Sequence, residues 1–280
     1  MTVPDKFPQD CTVVISAFGG WSDAGESATD AIEHLLEVWD CELVKELSRD
    51  DFYDYQYNRP EAILNIDGAR EIIWPSTSVF RAKSTSLEKT SVYLVLGMEP
   101  NFKWQTFCDE ILQSLSLSDH TVLIAMGAML AEVPHSRPIP IHGTTANPKL
   151  QEITGFSASR YEGQTGILGV MQNEFEKSDI TSVSLWAAVP HYVSSAPCAK
   201  ATLALIRALE DVLDTSIPIA ELEEDARAWQ SGADEMCAED EDVAEYVRGL
   251  EESHDTTELP EASGEAIARE FERYLRRREN

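Results

Sequence analysis

A glycine-rich segment with two acidic residues follows the first predicted strand and is the strongest local signal for chemistry. Gly19, Gly20 and Trp21 come directly after the strand, and Asp23 and Glu26 lie at the start of the next helix. Ligands in open α/β sheets bind beyond the carboxyl ends of strands, so these five residues are candidate ligand contacts. Phosphate binding is disfavoured, because the carboxylates of Asp23 and Glu26 would repel it. Two like charges about 4 Å apart cost on the order of 4 kcal/mol at an effective dielectric of 20. A helix dipole supplies only about 0.3–2 kcal/mol.

A structural interpretation of the same segment stays open. The glycines permit a tight turn and close helix packing, while Asp23 caps the helix with Glu26 three residues on as its partner. The segment matches neither the nucleotide-triphosphate loop nor the dinucleotide fingerprint.

Polar residues also follow two later predicted strands. Glu132, His135 and Arg137 come after a strand that ends near residue 126, and His191 follows one that ends near residue 189. These groups could supply an acid/base pair and an anion-binding arginine, with His135 and His191 near each other. The flanking prolines favour an extended path, so adjacent side chains need not converge. The sequence contains neither a metal-binding His-x-x-x-His pair on one helix nor a Gly-x-Ser-x-Gly nucleophile elbow. We therefore predict no catalytic residue, no metal and no cofactor.

Alternating strands and helices must position these residues. A buried-strand run at 12–18 is followed by a helix over 24–39. We predict further strands at 43–47, 63–66, 70–74, 91–96, 121–126 and 181–189, and further helices at 102–115 and 198–213. This pattern predicts an α/β fold with a largely parallel sheet covered on both faces. Segment 50–83 has too few helical signals for a repeating unit, so we expect a mixed sheet with an antiparallel portion there. The glycines at 163–169 indicate a turn that feeds a closely packed helix.

Negative charge is concentrated near the C-terminus. Between residues 219 and 264 there are 16 acidic and two basic residues, so this segment carries 2 − 16 = −14 of the net charge of −28. Its apolar residues recur at helical spacing. We therefore predict an α/β core domain at 1–218 and an acidic helical appendage at 219–280. Mobile joints are expected near 231–232 and 253–264, and a last short helix at 265–278.

Composition excludes several functional classes. The 280 residues are 43% hydrophobic, with a mean hydropathy of −0.26, as in a soluble globular chain. The net charge of −28 repels phosphate backbones and anionic lipids, so we expect no nucleic-acid and no membrane partner. No apolar run is long enough to cross a bilayer, and residues 1–10 do not form a signal peptide. The five cysteines form no paired motif. We expect a cytoplasmic protein.

Several longer segments occur together in the order found in a known family. They are residues 18–26, 51–55 with Arg59 and Pro60, 97–100 with Trp104, 134–138, 161–167 and 186–192. Over roughly residues 10–250 the chain resembles the proteasome assembly chaperone family, second-subunit type, in its bacterial branch.

The resemblance implies a three-layer α/β/α core similar to that of purine nucleoside phosphorylases. It also implies a homo-oligomer, with a trimer favoured, and protein partners related to the proteasome. Archaeal relatives dock through a C-terminal tail of a hydrophobic residue, a tyrosine and any residue. This sequence ends Arg-Arg-Glu-Asn at 277–280, with Tyr274 six positions from the end, so we do not expect that docking mode.

Two hypotheses of function follow from these observations. We favour a non-enzymatic oligomeric protein that binds protein partners in assembly or scaffolding. The alternative is a small-molecule binding protein or enzyme, for a nucleoside-like or carboxylate ligand, that uses the strand-end loops. The resemblance carries over no catalytic residue, and fold alone does not decide function.

Overall fold

Strands of the expected kind make up the centre of the computed structural model, which describes residues 11–47, 49–87, 90–193 and 195–258. Within these ranges the strands are β1 Thr12–Gly19, β2 Cys41–Glu46, β3 Glu61–Leu64, β4 Arg70–Ile73, β5 Thr77–Ala82, β6 Ser91–Met98, β7 Thr121–Ala131, β8 Ile141–Thr144 and β9 Thr181–Pro190. The helices are α1 Ser27–Val38, α2 Arg49–Phe52, α3 Trp104–Ser114, α4 Pro148–Thr154, α5 Ile167–Glu176, α6 Ala199–Leu213, α7 Leu222–Glu239 and α8 Glu241–Glu258.

Seven strands form one mixed sheet in the order β2-β5-β6-β1-β7-β9-β8. The four central strands, β6, β1, β7 and β9, run parallel, while β5 and β8 are antiparallel to their neighbours. The predicted largely parallel sheet is confirmed, as is the antiparallel portion expected within 50–83. Sequence patterns missed β5 and β8.

Helices cover both faces of this sheet. Side chains of α1 and α6 pack on one face and those of α3 and α5 on the other. Along β1, Val13 and Ile15 point toward α1 and α6, whereas Val14 and Phe18 point toward α3 and α5. Since successive strand residues face opposite sides, a strand covered on both faces must be largely apolar. This arrangement is why the run at 12–18 is hydrophobic apart from Thr12 and Ser16, and it confirms the three-layer architecture.

A separate two-stranded sheet is formed by β3 and β4. Every residue of both strands is exposed. The exposed residues include large apolar side chains, with Leu64 at 73% and Ile66, in the turn between the strands, at 102% of full exposure. Contiguous exposed apolar surface of this kind is typical of a protein interaction site.

The acidic C-terminal segment forms two long helices, α7 and α8. The joint predicted near 231–232 is wrong, because α7 runs unbroken through both residues, and α8 likewise continues through 253–258. Ala226, Ala233, Cys237 and Val247 of these helices are buried. Burial of one helix face explains why helical order persists across Gly232, since packing outweighs an unfavourable glycine. The short helix predicted at 265–278 lies outside the described residues. In the described ranges, no helix has the length and apolarity needed to span a bilayer.

Candidate functional site at the carboxyl ends of the parallel strands

The parallel strands end at one edge of the sheet, where the sequence placed its candidate residues. Gly19 at the end of β1 pairs with Met98 at the end of β6, and Ala131 of β7 pairs with Pro190 of β9. The chain leaves β1 for α1 on one face and leaves β6 for α3 on the opposite face. Two adjacent loops that diverge in this way mark the usual ligand position of an α/β sheet.

Asp23 lies in the loop after β1 and is almost fully buried, with 7% of its surface exposed. Its Oδ1 accepts hydrogen bonds from the backbone N–H groups of Ala28, at 2.7 Å, and Thr29, at 3.4 Å. The hydroxyl of Thr29 donates to Oδ2. Burial raises the pKa of Asp23, although these hydrogen bonds oppose the shift.

The predicted pairing of Asp23 and Glu26 as helix cap and partner is corrected by the structure. The helix starts at Ser27 rather than 24, after a tight turn at Ala24–Glu26, and its N-cap is Glu26 in a left-handed conformation. Glu26 makes no capping bond through its side chain. Asp23 satisfies the first amides of α1 from outside the helix, because the turn folds its carboxylate back over them.

The other residues of the β1 loop meet the end of β6 and the start of α5. Gly20 has φ +116°, which glycine adopts without strain, and Trp21 is 66% exposed. Glu99, directly after β6, donates its N–H to the carbonyl of Gly19 at 2.9 Å. Its Oε1 accepts the N–H of Ile167, the first residue of α5, at 2.8 Å. Gly19, Gly20 and Trp21 therefore adjoin a carboxylate that the sequence analysis did not select.

His135, in the loop after β7, is buried and both of its ring nitrogens are engaged. Nδ1 lies 2.8 Å from the hydroxyl of Tyr192, and Nε2 lies 3.0 Å from Oδ1 of Asp234 in α7. The backbone N–H of His135 also donates to the Tyr192 hydroxyl, at 2.8 Å. Burial raises the pKa of Tyr192 to about 12, so its proton is retained at neutral pH. With both nitrogens bound, this imidazole presents neither one to a substrate in this conformation.

Arg137, two residues further on, pairs with the other acidic helix. Its Nε and Nη2 donate to the two carboxylate oxygens of Asp255 in α8, at 2.9 and 2.8 Å. Nη1 reaches Oε1 of Glu251 at 3.3 Å, and the hydroxyl of Ser136 donates to the same oxygen. The hydrogen bond from Arg137 lowers the pKa of Asp255 to about 2. A bidentate guanidinium–carboxylate pair of this geometry fixes orientation as well as distance.

Lys200, in the first turn of α6, joins the two parts of this network. Its ammonium donates to the carbonyls of His135 and Arg137, the latter at 2.8 Å, and to Oε1 of Gln230 in α7 at 2.7 Å. Burial lowers the pKa of Lys200. The loop after β7 is therefore tied to α6 and α7 by one half-buried cation.

The two remaining candidates lie at the border of this network. His191 is exposed and packs edge-on against Tyr192, with ring centroids 5.6 Å apart, so His135 and His191 flank the same tyrosine. Tyr246 of α8 contacts both His191 and Tyr192. Glu132 is exposed and takes no part in the contacts of His135 or Arg137. The carboxylates that partner His135 and Arg137 come instead from α7 and α8. Across the described residues, no group of three or more His, Cys, Asp and Glu side chains is placed to hold a metal ion.

With this geometry established, comparison with known proteins decides the family. A sequence model of the PAC2 family matches residues 17–237. The chain belongs to the PAC2 family. A PAC2 family protein from Streptomyces avermitilis is 42% identical, with a TM-score of 0.76, over 84% of this chain and 99% of that one. A proteasome-assembly chaperone homologue from Mycobacterium tuberculosis is also 42% identical, with a TM-score of 0.75, over 84% of this chain and 99% of that one.

A Mycobacterium tuberculosis protein of unknown function is 26% identical, with a TM-score of 0.79, over 91% of this chain and 87% of that one. No curated protein matches at a significant level. The family resemblance read from the sequence is confirmed. The PAC2 match ends at residue 237, within α7, so Glu251, Asp255 and the rest of α8 lie beyond it.

Sequence reasoning did not select three polar residues that make contacts at this edge: Glu99, Tyr192 and Lys200. Glu99 carried a usable signal, because it follows β6 just as Gly20 follows β1. Lys200 carried a weaker one, as a single cation in the first turn of a helix that starts at the same edge. The acidic partners of His135 and Arg137 had no local signal, since they lie 99 and 118 residues away in sequence.

Proposed function

We propose that this protein is a non-enzymatic, homo-oligomeric assembly factor that binds protein partners, with components of the proteasome as the partner class. The observation that carries the proposal is the 42% identity, across 99% of that chain, to the Mycobacterium tuberculosis proteasome-assembly chaperone homologue. Identity at this level over a whole chain supports a shared type of function more strongly than a shared fold does.

The state of the strand-end residues supports binding rather than bond-breaking chemistry. His135 and Arg137, the best acid/base and anion-binding candidates, are held by carboxylates of the chain's own α7 and α8. A general base must lie within hydrogen-bonding reach of the proton it removes, and both nitrogens of His135 are already bonded.

The exposed apolar residues of β3 and β4 support contact with another chain. A two-stranded hairpin with both faces in water is marginally stable alone, so a covering surface would stabilise it.

We propose self-association into a trimer of roughly 94 kDa, three times the 31.2 kDa of one chain. Sedimentation equilibrium tests this, and a wild type that sediments only at 31.2 kDa contradicts the homo-oligomer. Ile66→Glu with Leu64→Glu, two exposed positions, should weaken association without unfolding the core.

Co-expression tests the partner class directly. The chain is produced together with the proteasome α and β subunits of the same organism, and assembled particles are quantified on native gels. We expect more assembled particle with the chain than without it. An unchanged amount contradicts the proposed function. The variant that carries both Leu64→Glu and Ile66→Glu serves as a matched control, because both positions are exposed and the core of the chain should stay intact.

The proposal also includes the domain organisation of the chain and its cellular location. We retain a core domain at 1–218 and an acidic appendage at 219–280, in which α7 and α8 cover the loops after β7 and β9. We place the protein in the cytoplasm, which the five free cysteines support, because reducing compartments keep thiols unpaired.

The small-molecule hypothesis keeps one supporting observation, the divergence of the adjacent loops after β1 and β6 to opposite faces of the sheet. Thermal-shift screening with nucleosides and small carboxylates tests it. A ligand at about 100 times its dissociation constant adds about 2.7 kcal/mol of stability. A shift of that size that is lost in Trp21→Ala would favour this second function, and no shift with any of these compounds would remove it.

A further inference from the structure

A recess of about 330 Å³ lies between the helices α1, α6 and α7. Helix α7 contributes Leu222, Asp225 and Trp229, whose spacing of three and four residues places them on one side of the helix. Asp30 of α1 and Pro197, just before α6, lie on the other walls. Asp225 and Pro197 are exposed, so the recess is open to solvent. Ligand pockets have volumes of about 300–1,000 Å³, and this recess is therefore large enough for a small organic molecule.

Two carboxyl groups supply the only charges among the described residues that line the recess. Asp30 is half-buried and Asp225 is exposed. In the described ranges, neither side chain accepts a hydrogen bond or pairs with a cation. Burial, then the charges of other acidic residues, raises the pKa of Asp30 to about 6. A cation bound beside Asp30 would favour the ionised carboxylate and offset this cost of burial.

The basic side chains of these three helices make their contacts elsewhere. Lys200 donates to backbone carbonyls of the loop after β7 and to a glutamine of α7. Arg207 pairs with a glutamate of α7, and Arg227 donates to a backbone carbonyl of its own helix. His34 lies 2.7 Å from a backbone carbonyl that follows α6. A cation that balances the two carboxylates must therefore come from outside α1, α6 and α7.

Trp229 gives the recess an aromatic wall. Its side chain is half-buried and packs against the core together with Leu222. Pro197 and Ala228 extend the apolar lining. An indole face attracts a cation that lies within about 6 Å of its centre, and apolar walls favour methylene groups over water. The lining therefore fits an organic cation better than a hydrated metal ion.

The balance of charge narrows the class of ligand. Two carboxylates without a basic neighbour are matched by two positive charges, and the apolar surface between the helices is matched by an alkyl chain. We propose that this recess binds an alkyl diammonium ion, whose ammonium groups pair with Asp30 and Asp225 and whose chain packs against Trp229. The net charge of −28 steers such a dication toward the protein.

Fluorine NMR of the full chain labelled with 5-fluorotryptophan tests this site. The chain has six tryptophans, and Trp229→Phe identifies the Trp229 signal. The probe is 1,5-diaminopentane at physiological salt, and its uncharged counterpart is 1,5-pentanediol. We expect a saturable shift of the Trp229 signal with the diamine and none with the diol. A Trp229 signal that ignores the diamine, moves equally with the diol, or moves only together with all the other tryptophan signals overturns the proposal.

A probe with a single charge tests the number of ammonium groups. Pentylamine has the same chain as the diamine but only one ammonium group, and it should bind about tenfold more weakly because one carboxylate stays unpaired. Equal binding by pentylamine and the diamine would contradict the assignment of two charges.

Matched variants locate the binding groups. Asp30→Asn should weaken binding of the diamine about tenfold, and Asp225→Asn, at an exposed position, about threefold. Ala228→Leu fills part of the recess without a change of charge and should also weaken binding. Asp119→Asn is the control, because Asp119 is exposed just before β7 and its replacement removes the same charge from the chain. Equal losses for Asp30→Asn and Asp119→Asn would assign the binding to overall charge and overturn the site.

This proposal goes beyond the proposed function, and each can fail without the other. If the chain increases proteasome assembly but its Trp229 signal ignores the diamine, the recess is not a diammonium site and the proposed function stands. If the diamine binds as expected but assembly is unchanged, the recess assignment stands and the partner class is wrong.

Discussion

Nε2 of His135 lies 3.0 Å from Oδ1 of Asp234, which joins the loop after β7 to the acidic helix α7 across 99 residues of sequence. The other nitrogen, Nδ1, faces the hydroxyl of Tyr192, which already accepts the backbone N–H of His135. The Tyr192 hydroxyl can then donate its own proton to Nδ1 while Nε2–H donates to Asp234. This assignment satisfies every bond in the chain of contacts.

Removing this imidazole should loosen the contact between α7 and the core. We expect His135→Ala to lower the free energy of unfolding by about 2–3 kcal/mol, because Tyr192 and Asp234 lose their shared partner and a buried side chain is lost. Urea denaturation measures the change. His191→Ala is the control: it removes an exposed imidazole that contacts the same tyrosine, and should cost less than about 1 kcal/mol. Equal losses for the two variants would show that the buried bonds of His135 contribute little.

The contacts of Arg137 with α8 predict a local rather than a global effect. Exposed ion pairs contribute about 1 kcal/mol or less, so Arg137→Ala should leave the unfolding midpoint nearly unchanged. Amide hydrogen exchange within α8 should nevertheless speed up about fivefold, because Glu251 and Asp255 lose their common partner. Exchange measured by mass spectrometry checks this.

High salt and a second arginine test the cause of that effect. At about 1 M salt the screening length falls to about 3 Å, so exchange in wild-type α8 should approach that of Arg137→Ala. Arg207→Ala is the control, since Arg207 pairs with Glu223 of α7 and should leave α8 unaffected. Protection of α8 that does not respond to Arg137→Ala or to salt would mean that apolar contacts alone hold the helix.

How far the sequence could predict this edge depended on whether the signal was local. The runs that became β1, β6, β7 and β9 are predominantly apolar, and the positions after them fall at one edge by topology alone. Gly20, Asp23, His135 and His191 were found by that rule. The edge strand β8 was missed because four residues, one of them glycine, give no periodic pattern.

Pairings between distant segments could not be predicted, for a physical reason. Sixteen carboxylates lie between residues 219 and 264, and nothing in the sequence distinguishes the ones that pair with an arginine. Only the packing of α7 on α6 and of α8 on α7 decides that Arg137 meets Asp255 and Glu251 of α8. The same packing overrides local preference at Gly232, where the sequence favoured a joint and the structure has a helix.

Asp30 gives a prediction about pH. Its carboxyl group borders a recess of about 330 Å³ that Asp225 and Trp229 also line. Burial, then the charges of Glu33, Glu26 and Asp23, raises the pKa of Asp30 to about 6. The folded state therefore favours the protonated form: the contribution to stability is complete below about pH 4 and is lost as the pH rises through 6.

Asp30→Asn should remove this dependence. At pH 8 we expect the variant to unfold with a free energy about 1 kcal/mol higher than wild type, after allowance for the partial exposure of the group. At pH 4 the two should be nearly equal. Urea denaturation at both values checks this, with the exposed Asp119→Asn as a control for the loss of one negative charge from the whole chain. A gain of the same size at both pH values would assign the effect to something other than ionisation.

Gly25 and Gly232 should respond oppositely to replacement by alanine. Gly25 has φ +62°, and an added methyl would lie 2.8 Å from Cβ of Cys198, so Gly25→Ala should cost about 1–3 kcal/mol. Gly232 lies in the middle of α7 with open space around it, so Gly232→Ala should add about 0.5–1 kcal/mol. Urea midpoints measure both. A Gly232→Ala variant that loses stability would mean that α7 needs freedom at this position, which would restore the joint expected from the sequence.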